Sequence, residues 1–478
     1  MVKYVLKLQM VRLINIILNF TLFVFPALLF AQNQVAKPNI IFILADHLGW
    51  GDLSCYGQTR IKTPNLDKLA EEGTLFTQFY SAGSVCSPSR AAFLTGDFPA
   101  SHGIHGHFAT LEHNEERGMP NSLDPDDDNI ARTLQQYGYT TGHFGKWHLG
   151  KYGDCALPVA YGIDASKTYS SNDPEGMETW NLWRPPFRAI STQLILGETL
   201  KFVKENRNKP FFVNVWLVDP PGPLNPSRDQ LDKVAHLGPK SVTHYGAPQI
   251  YFATVLEMDR QIGMFLDSLE QKGLKENTIV VFSSDNGPED INIRNSSHSG
   301  VGDAGPFRGR KRSIYEGGIR VPLIIRWPGG DVPAGKIDNT SVIGAVDFFP
   351  FICDLTGVDI DLSHLDGESR ADCFLGNSNA RTKSLMWECR HEIPGHVLHK
   401  SPQLAIRDGQ YKLLLNPDKS WVELYDILTD PREMNNITEK FPKMMETLSK
   451  KLLVWKASLP ESPVDESAGR DIYDWPCD

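Results

Sequence analysis

Four short runs of the chain are apolar at nearly every position: Asn39–Ala45, 211–218, Thr278–Ser284 and 321–325. A strand with one wet face alternates apolar and polar residues, so a run without alternation predicts a strand covered on both faces. Amphipathic stretches lie between these runs. The longest, about 249–271, puts Phe252, Val255, Leu256, Ile262, Phe265 and Leu266 on one helical face. Strands alternating with helices predict an α/β fold, a large and mostly parallel central sheet flanked by helices. Further elements fit this pattern. A helix starts at Thr63–Pro64 and closes at Gly73, and a strand spans 75–80. A helix runs from Pro88 to Gly96 with Ser87 as its cap, another is capped by Asp128 and ends at Gly138, and a strand spans 139–144. From about Gly376 the texture changes. Segments 405–415 and 422–425 read as short antiparallel strands and 442–453 as a closing helix, a smaller α+β subdomain.

The chain has 478 residues, 41% hydrophobic and 22% charged, enough for one large α/β domain or two domains. Collagen-like, disordered and polytopic membrane classes are excluded. Residues 1–31 carry Lys3, Lys7 and Arg12, no acid, and an apolar stretch over 20–30. Asn15, Asn19 and Pro26 interrupt the longer run, which predicts a cleaved export signal rather than a stable membrane span. The expected organisation is therefore a signal peptide at 1–31, a catalytic α/β domain at 32–375 and a subdomain at 376–478, in a periplasmic or secreted protein. Net charge is −10, and removing the leader leaves 45 basic against 58 acidic residues, or −13. Such a surface repels nucleic acid, so an anionic substrate needs a local basic pocket. The seven cysteines include no CxxC pair, which argues against a cysteine metal site, and their odd number leaves at least one thiol unpaired within the chain.

Polar clusters fall where the predicted strands end, the edge at which open α/β sheets carry their sites. Asp46–His47 follows the first strand, Cys86-Ser87-Pro88-Ser89-Arg90 opens a helix, Gly145-Lys146-Trp147-His148-Leu149-Gly150 follows another strand, and so does Asp285–Asn286. Each alone has a structural explanation, as a cap, a solvated cation or a packing residue. Together they predict a site. Cys86 lies in a first helical turn, whose free N–H groups favour an anion, and Arg90 lies one turn along the same face.

Cys86-Ser87-Pro88-Ser89-Arg90, continuing to Thr95–Gly96, resembles the C-x-P-S-R…T-G signature of the type I sulfatases, relatives of alkaline phosphatase. The run from Gly138 to Gly150 resembles their second signature. Asp285-Asn286-Gly287, Lys311, the run from Tyr315 to Pro322 and Glu423-Leu424-Tyr425-Asp426 continue the match. The resemblance implies that Cys86 is oxidised to 3-oxoalanine (formylglycine) by a maturation enzyme and acts as the nucleophile. Its hydrated aldehyde offers two hydroxyls on one carbon, one to attack the sulfate ester and one to expel sulfate afterwards. It further implies a calcium ion held by Asp46, Asp285, Asn286 and the modified Cys86, with His47 at the position of a usual second aspartate. Arg90 would orient the diol, Lys146 and Lys311 would clamp the sulfate, and His148 would serve as base. The expected substrate is a sulfated polysaccharide or oligosaccharide, with algal ulvan or carrageenan and glycosaminoglycans as examples.

Two departures from the family pattern stand out. A neutral imidazole at 47 is a poor partner for a hard cation. After 211–218 the chain reads Asp219-Pro220-Pro221-Gly222-Pro223, where relatives commonly carry histidines that protonate the leaving alcohol. Lys311, His298, His244 and Asp219 are the candidate replacements, and His298 is a candidate substrate-binding residue. A phosphate or phosphonate monoesterase of the same fold and a non-catalytic binder of sulfated glycans are the competing readings.

Overall fold

The first strand, β1 (Asn39–Ala45), is buried along its whole length, and the two faces of the sheet explain its unbroken apolar sequence. Ile40, Phe42 and Leu44 enter one hydrophobic cluster; Ile41, Ile43 and Ala45 enter another on the opposite side. In this computed structural model the described residues are 37–150, 155–169, 187–222, 224–238, 246–291, 298–390 and 399–470. The predicted leader at 1–31, His244 and Cys477 lie outside them. Residues from Pro38 onward form one compact unit.

Eight further strands join β1: β2 (Thr74–Tyr80), β3 (Thr140–Lys146), β4 (Ala165–Tyr169), β5 (Phe211–Trp216), β6 (Thr278–Ser284), β7 (Arg320–Arg326), β8 (Lys336–Asp338) and β9 (Ile343–Gly344). Their order is β4-β3-β5-β1-β6-β7-β2-β8, with β9 also on β2. All pairings are parallel except those of β7, which runs antiparallel to both β6 and β2. The fold is thus the expected flanked α/β sheet, with one reversed strand. Reversal has a consequence: the residues preceding β7 lie at the same sheet edge as the residues following β1, β3 and β6.

One face is covered by helices Pro64–Glu71, Ser191–Asn206 and Ala247–Gln271, the other by Cys86–Thr95, Ile130–Gln136 and Phe348–Thr356. Two caps differ from expectation. Val85, not Ser87, precedes the helix that starts on Cys86, and Ser87 Oγ instead accepts from Phe108 N at 3.1 Å. Asn129, not Asp128, caps the helix at 130, accepting from Arg132 N at 3.0 Å.

A second, antiparallel sheet follows in the order β10 (Leu385–Glu388), β11 (Leu404–Asp408), β12 (Tyr411–Leu415) and β13 (Val422–Asp426), with helix Pro442–Ser458 beside it. Leu404, Leu413 and Leu424 share a cluster with Phe42 and Phe93 of the main sheet and its helix. Buried charges bridge the same boundary. Lys412 Nζ of β12 lies 3.0 Å from Glu316 Oε1, just before β7, and 2.9 Å from Glu433 Oε1, all three side chains fully buried. Glu316 also accepts from the Tyr80 hydroxyl at 2.7 Å. No disulfide joins any two of the described cysteines. Among the described residues no helix is long and apolar enough to cross a membrane.

Candidate active site

At one edge of the sheet β1 delivers Asp46 and His47, β3 ends on Lys146 and continues to His148, and β6 leads to Asp285 and Asn286. Cys86 opens the helix after β2, and Lys311 arrives from the loop before β7. All of these side chains are buried. The turns that place them are tight. His47 (φ 55°) and His148 (φ 58°) hold left-handed backbone, a conformation that costs a non-glycine residue about 1 kcal/mol or more. At position 47 the turn is fixed by the backbone N–H, which donates to Asp285 Oδ1 at 3.0 Å.

The contacts converge. Lys146 Nζ donates to both oxygens of Asp46 at 2.8 and 2.9 Å. Arg90 donates to Asp285 Oδ2 from Nε at 3.1 Å and Nη2 at 2.7 Å, to Asp46 Oδ1 at 3.3 Å, and to the Lys146 carbonyl at 3.1 Å. Its guanidinium lies over Trp216, 5.1 Å from the ring centroid. His47 Nε2 is 2.8 Å from Cys86 Sγ, and Lys311 Nζ is 2.7 Å from Nε2 and 3.0 Å from Nδ1 of the same ring. Glu289 Oε2 accepts from Lys311 at 3.1 Å, and Glu289 Oε1 accepts from Arg312.

These neighbours set the charges. Burial opposes ionisation of Asp46, but the cations Lys146 and Arg90 outweigh it and hold the carboxyl well below its usual range. Asp285 is pushed up by burial and by Asp46. Burial pushes the Cys86 thiol up as well, against Lys146 and Lys311, so the unmodified side chain is a neutral thiol rather than a thiolate nucleophile. His47 is held neutral by burial and Lys311, although Asp46 pulls the other way. His148 is held neutral by burial and Lys146. Its Nε2 lies 3.3 Å from the Phe108 carbonyl oxygen, and its buried Nδ1 has no hydrogen-bond partner among the described residues.

Ligand atoms of Asp46, His47, Cys86 and Asp285 lie within 4.8 Å of one another. Asn286 Oδ1, next in the chain, is buried with no partner among the described residues, while its amide nitrogen donates to Gly287 O at 2.8 Å. Two carboxylates and an orphaned amide oxygen fit a hard divalent cation. The imidazole of His47 is the departure, since Lys311 and Cys86 occupy its surroundings.

The structure therefore brings together Asp46, His47, Cys86, Arg90, Lys146, Asp285 and Lys311, with Asn286 and His148 adjoining. It does not bring His298 to them: that side chain is exposed and its residue opens the turn Ser299–Val301. Asp219 is buried and taken up by Arg188, by Ser191 Oγ at 2.7 Å and by Thr192 Oγ1 at 2.5 Å, so its carboxylate anchors a loop. Sequence reasoning missed Glu289 and His107, while Arg312 stands in the basic run 307–312 around Lys311. Glu289 stands four residues beyond Asp285 on the same loop, a spacing that would have marked it once Asp285 was placed.

A family model described as sulfatase matches residues 38–358, and one described as N-sulphoglucosamine sulphohydrolase, C-terminal, matches 302–458. The chain is 30% identical over 416 residues to an arylsulfatase of Hemicentrotus pulcherrimus, covering 81% of this chain and 69% of that one. It is 33% identical over 357 residues to the N-acetylgalactosamine-6-sulfatase of Canis lupus familiaris, covering 69% of this chain and 64% of the relative, slightly under two thirds. Among solved structures it resembles Ps i-CgsB in complex with k-i-k-neocarrahexaose, with a TM-score of 0.74, 25% identity, and coverage of 89% of this chain and 94% of that one.

Proposed function

The chain belongs to the sulfatase family and hydrolyses sulfate esters, and from that premise we propose that it desulfates an oligo- or polysaccharide, using Cys86 matured to formylglycine beside a calcium ion. The observation that carries this reading is the buried convergence of Asp46, Cys86, Arg90, Lys146, Asp285 and Lys311 at one sheet edge. A saccharide substrate is supported by the relatives: one is named for N-acetylgalactosamine-6-sulfate, and one structural neighbour holds a neocarrahexaose.

The formylglycine would supply a hydrated aldehyde as nucleophile, and the cation, held by Asp46, Asp285 and Asn286, would neutralise charge on the sulfuryl oxygens. The chain's own residues do the rest. Lys146, held on Asp46, and Lys311, held on His47 and Glu289, bind the sulfate oxygens, exchanging those contacts for the substrate. Arg90 ties Asp285 to the Lys146 carbonyl, so it holds carboxylate, lysine and helix start in register. His148, neutral and with Nδ1 unpartnered among the described residues, is ready to accept a proton. Lys311, on the His47 ring beside Cys86, protonates the leaving alcohol, because Asp219 is committed elsewhere. A maturation enzyme that converts Cys86 and an export route are part of the same reading.

The test is peptide mass spectrometry around Cys86 after co-expression with a formylglycine-generating enzyme, combined with sulfate release from defined sulfated oligosaccharides. The expected result is an aldehyde at position 86 and turnover that falls at least about a thousandfold in Cys86→Ala. Full turnover with alanine at 86 overturns the proposal.

A further inference from the structure

Lys311 meets the cluster by way of a carboxylate that belongs neither to the metal ligands nor to the nucleophile. Glu289 is buried; its Oε2 accepts from Lys311 Nζ at 3.1 Å, and its Oε1 accepts from Arg312. In extended chain, adjacent side chains point to opposite sides, so two neighbours share one carboxylate only where the backbone turns. Arg312 makes that turn in left-handed backbone, φ 75°, a conformation that costs a non-glycine residue and persists only where its surroundings fix it. Hydrogen bonds fix it here. Lys311 N donates to Pro288 O at 2.9 Å, Arg312 N to Ser84 O at 2.8 Å, and Arg310 Nε to the Glu289 carbonyl at 2.8 Å. Residues 310–312 are therefore fastened on one side to the loop that follows Asp285 and on the other to the loop that leads into Cys86.

Charge explains why one carboxylate takes two cations. Besides Glu289, Lys311 Nζ meets the His47 ring, 2.7 Å from Nε2 and 3.0 Å from Nδ1, and that Nδ1 lies 3.6 Å from Glu289 Oε2. To serve an ester bound at Cys86, the ammonium has to leave Oε2. A buried carboxylate that loses its only cation resists such a move, because its charge is then neither solvated nor paired. Arg312 meets the difficulty, since its own contact is with Oε1 and does not depend on Lys311. The Asp290 N–H adds a further donor to Oε1 at 3.0 Å. So arranged, the lysine is aimed without being trapped.

We propose that Glu289 is the positioning residue for Lys311, holding its ammonium against the His47 ring beside Cys86, and that Arg312 keeps the carboxylate paired when Lys311 turns to the leaving oxygen. The inference rests on the reading of Lys311 as proton donor given above and names what aims it. In that step sulfur bonds to the oxygen nucleophile at position 86, and the ester S–O bond breaks with its electron pair on the leaving oxygen. That oxygen takes the proton from Lys311 Nζ, and the neutral amine regains one from water. Glu289 touches neither the sulfur nor the transferred proton; it acts through Lys311 alone.

Aryl sulfates of similar shape and different leaving group separate aiming from folding. 4-Nitrophenyl sulfate releases a stable phenolate, whereas phenyl sulfate releases a more basic oxygen that depends more on protonation. In matured wild-type enzyme and its variants, kcat/KM is measured for both. Glu289→Gln, of nearly the same shape and without charge, should widen the ratio of the two values about tenfold or more, and Lys311→Ala should widen it at least as far. Arg312→Met should widen it too, and Glu289→Gln combined with Arg312→Met should widen it no further than Glu289→Gln alone. An unchanged ratio in Glu289→Gln beside a widened one in Lys311→Ala overturns this inference and leaves Lys311 as donor. An unchanged ratio in both removes the proton-donor reading and this inference with it. Effects of the two single variants that multiply in the double variant overturn the part given to Arg312. Because the readout is a ratio within each protein, a lower folded fraction scales both rates and does not produce it.

Discussion

His47 concentrates the chemistry that sets this chain apart at the level of single residues. Its ring sits between Cys86 and Lys311, where a carboxylate would add negative charge toward the Asp46–Asp285 pair. His47→Asp supplies an oxygen donor at a backbone position (φ 55°) that aspartate tolerates, so calcium affinity measured by calorimetry should rise about tenfold or more. Far from the cluster, His102 sets a pH dependence of stability. Its Nδ1 lies 2.8 Å from Asp127 Oδ2 and its Nε2 3.7 Å from Asp97 Oδ2. Burial works against the charge, yet these two carboxylates raise the imidazole to about 9. A folded value above the unfolded ~6.5 stabilises fully below that pH and is lost as pH rises through about 9. Urea unfolding should therefore show a decline of about 2 kcal/mol between pH 6.5 and 9.5 that His102→Asn abolishes.

Strands and helices show where sequence reading succeeds and where it stops. β1, β5 and β6 were legible because burial on two faces leaves an unbroken apolar run, visible without knowing the neighbours. The direction of β7 was not, since 321–325 reads the same whichever way the strand runs. Only its antiparallel pairing explains how Lys311, which precedes a strand, meets groups that follow strands. Motif resemblance had named Lys311; topology supplies the reason. β4 and the helix Ser191–Asn206 were overlooked because neither carries a strong periodic pattern, and they are fixed instead by packing on β3 and β5. The caps failed for a simpler reason: Asp128 and Asn129 are adjacent and both are good cap residues, and only the backbone decides between them. A single glycine illustrates how strictly an element can be constrained. Gly145 precedes Lys146 in β3 with φ +109°, and a Cβ there would stand 1.9 Å from the Trp216 carbonyl oxygen of β5. Gly145→Ala should cost about 3 kcal/mol or more in thermal unfolding, and should reduce sulfate release by displacing Lys146 from Asp46.

Across the molecule, the two sheets are joined through charge as well as through apolar packing. Lys412 has no exposure and serves two carboxylates, Glu316 and Glu433. Burial raises Glu433 to about 7 despite Lys412, with Glu316 adding to the rise. Removing the lysine leaves Glu433 buried without it and Glu316 with only Arg320 at 3.2 Å and Arg407 at 4.0 Å, so Lys412→Ala should destabilise by about 3 kcal/mol in denaturant unfolding. Lys412→Met, tested with Glu316→Gln and Glu433→Gln, should recover most of that loss. Glu316 lies five positions after Lys311, with the turn between them held by the Ser313 N–H bond to Arg310 O at 2.9 Å. The lysine that reaches toward Cys86 is thus moored, through a few backbone links, to a sheet formed by the last hundred residues. A shortened protein ending before β11 would keep every side chain of the cluster and still lose the anchorage that aims one of them.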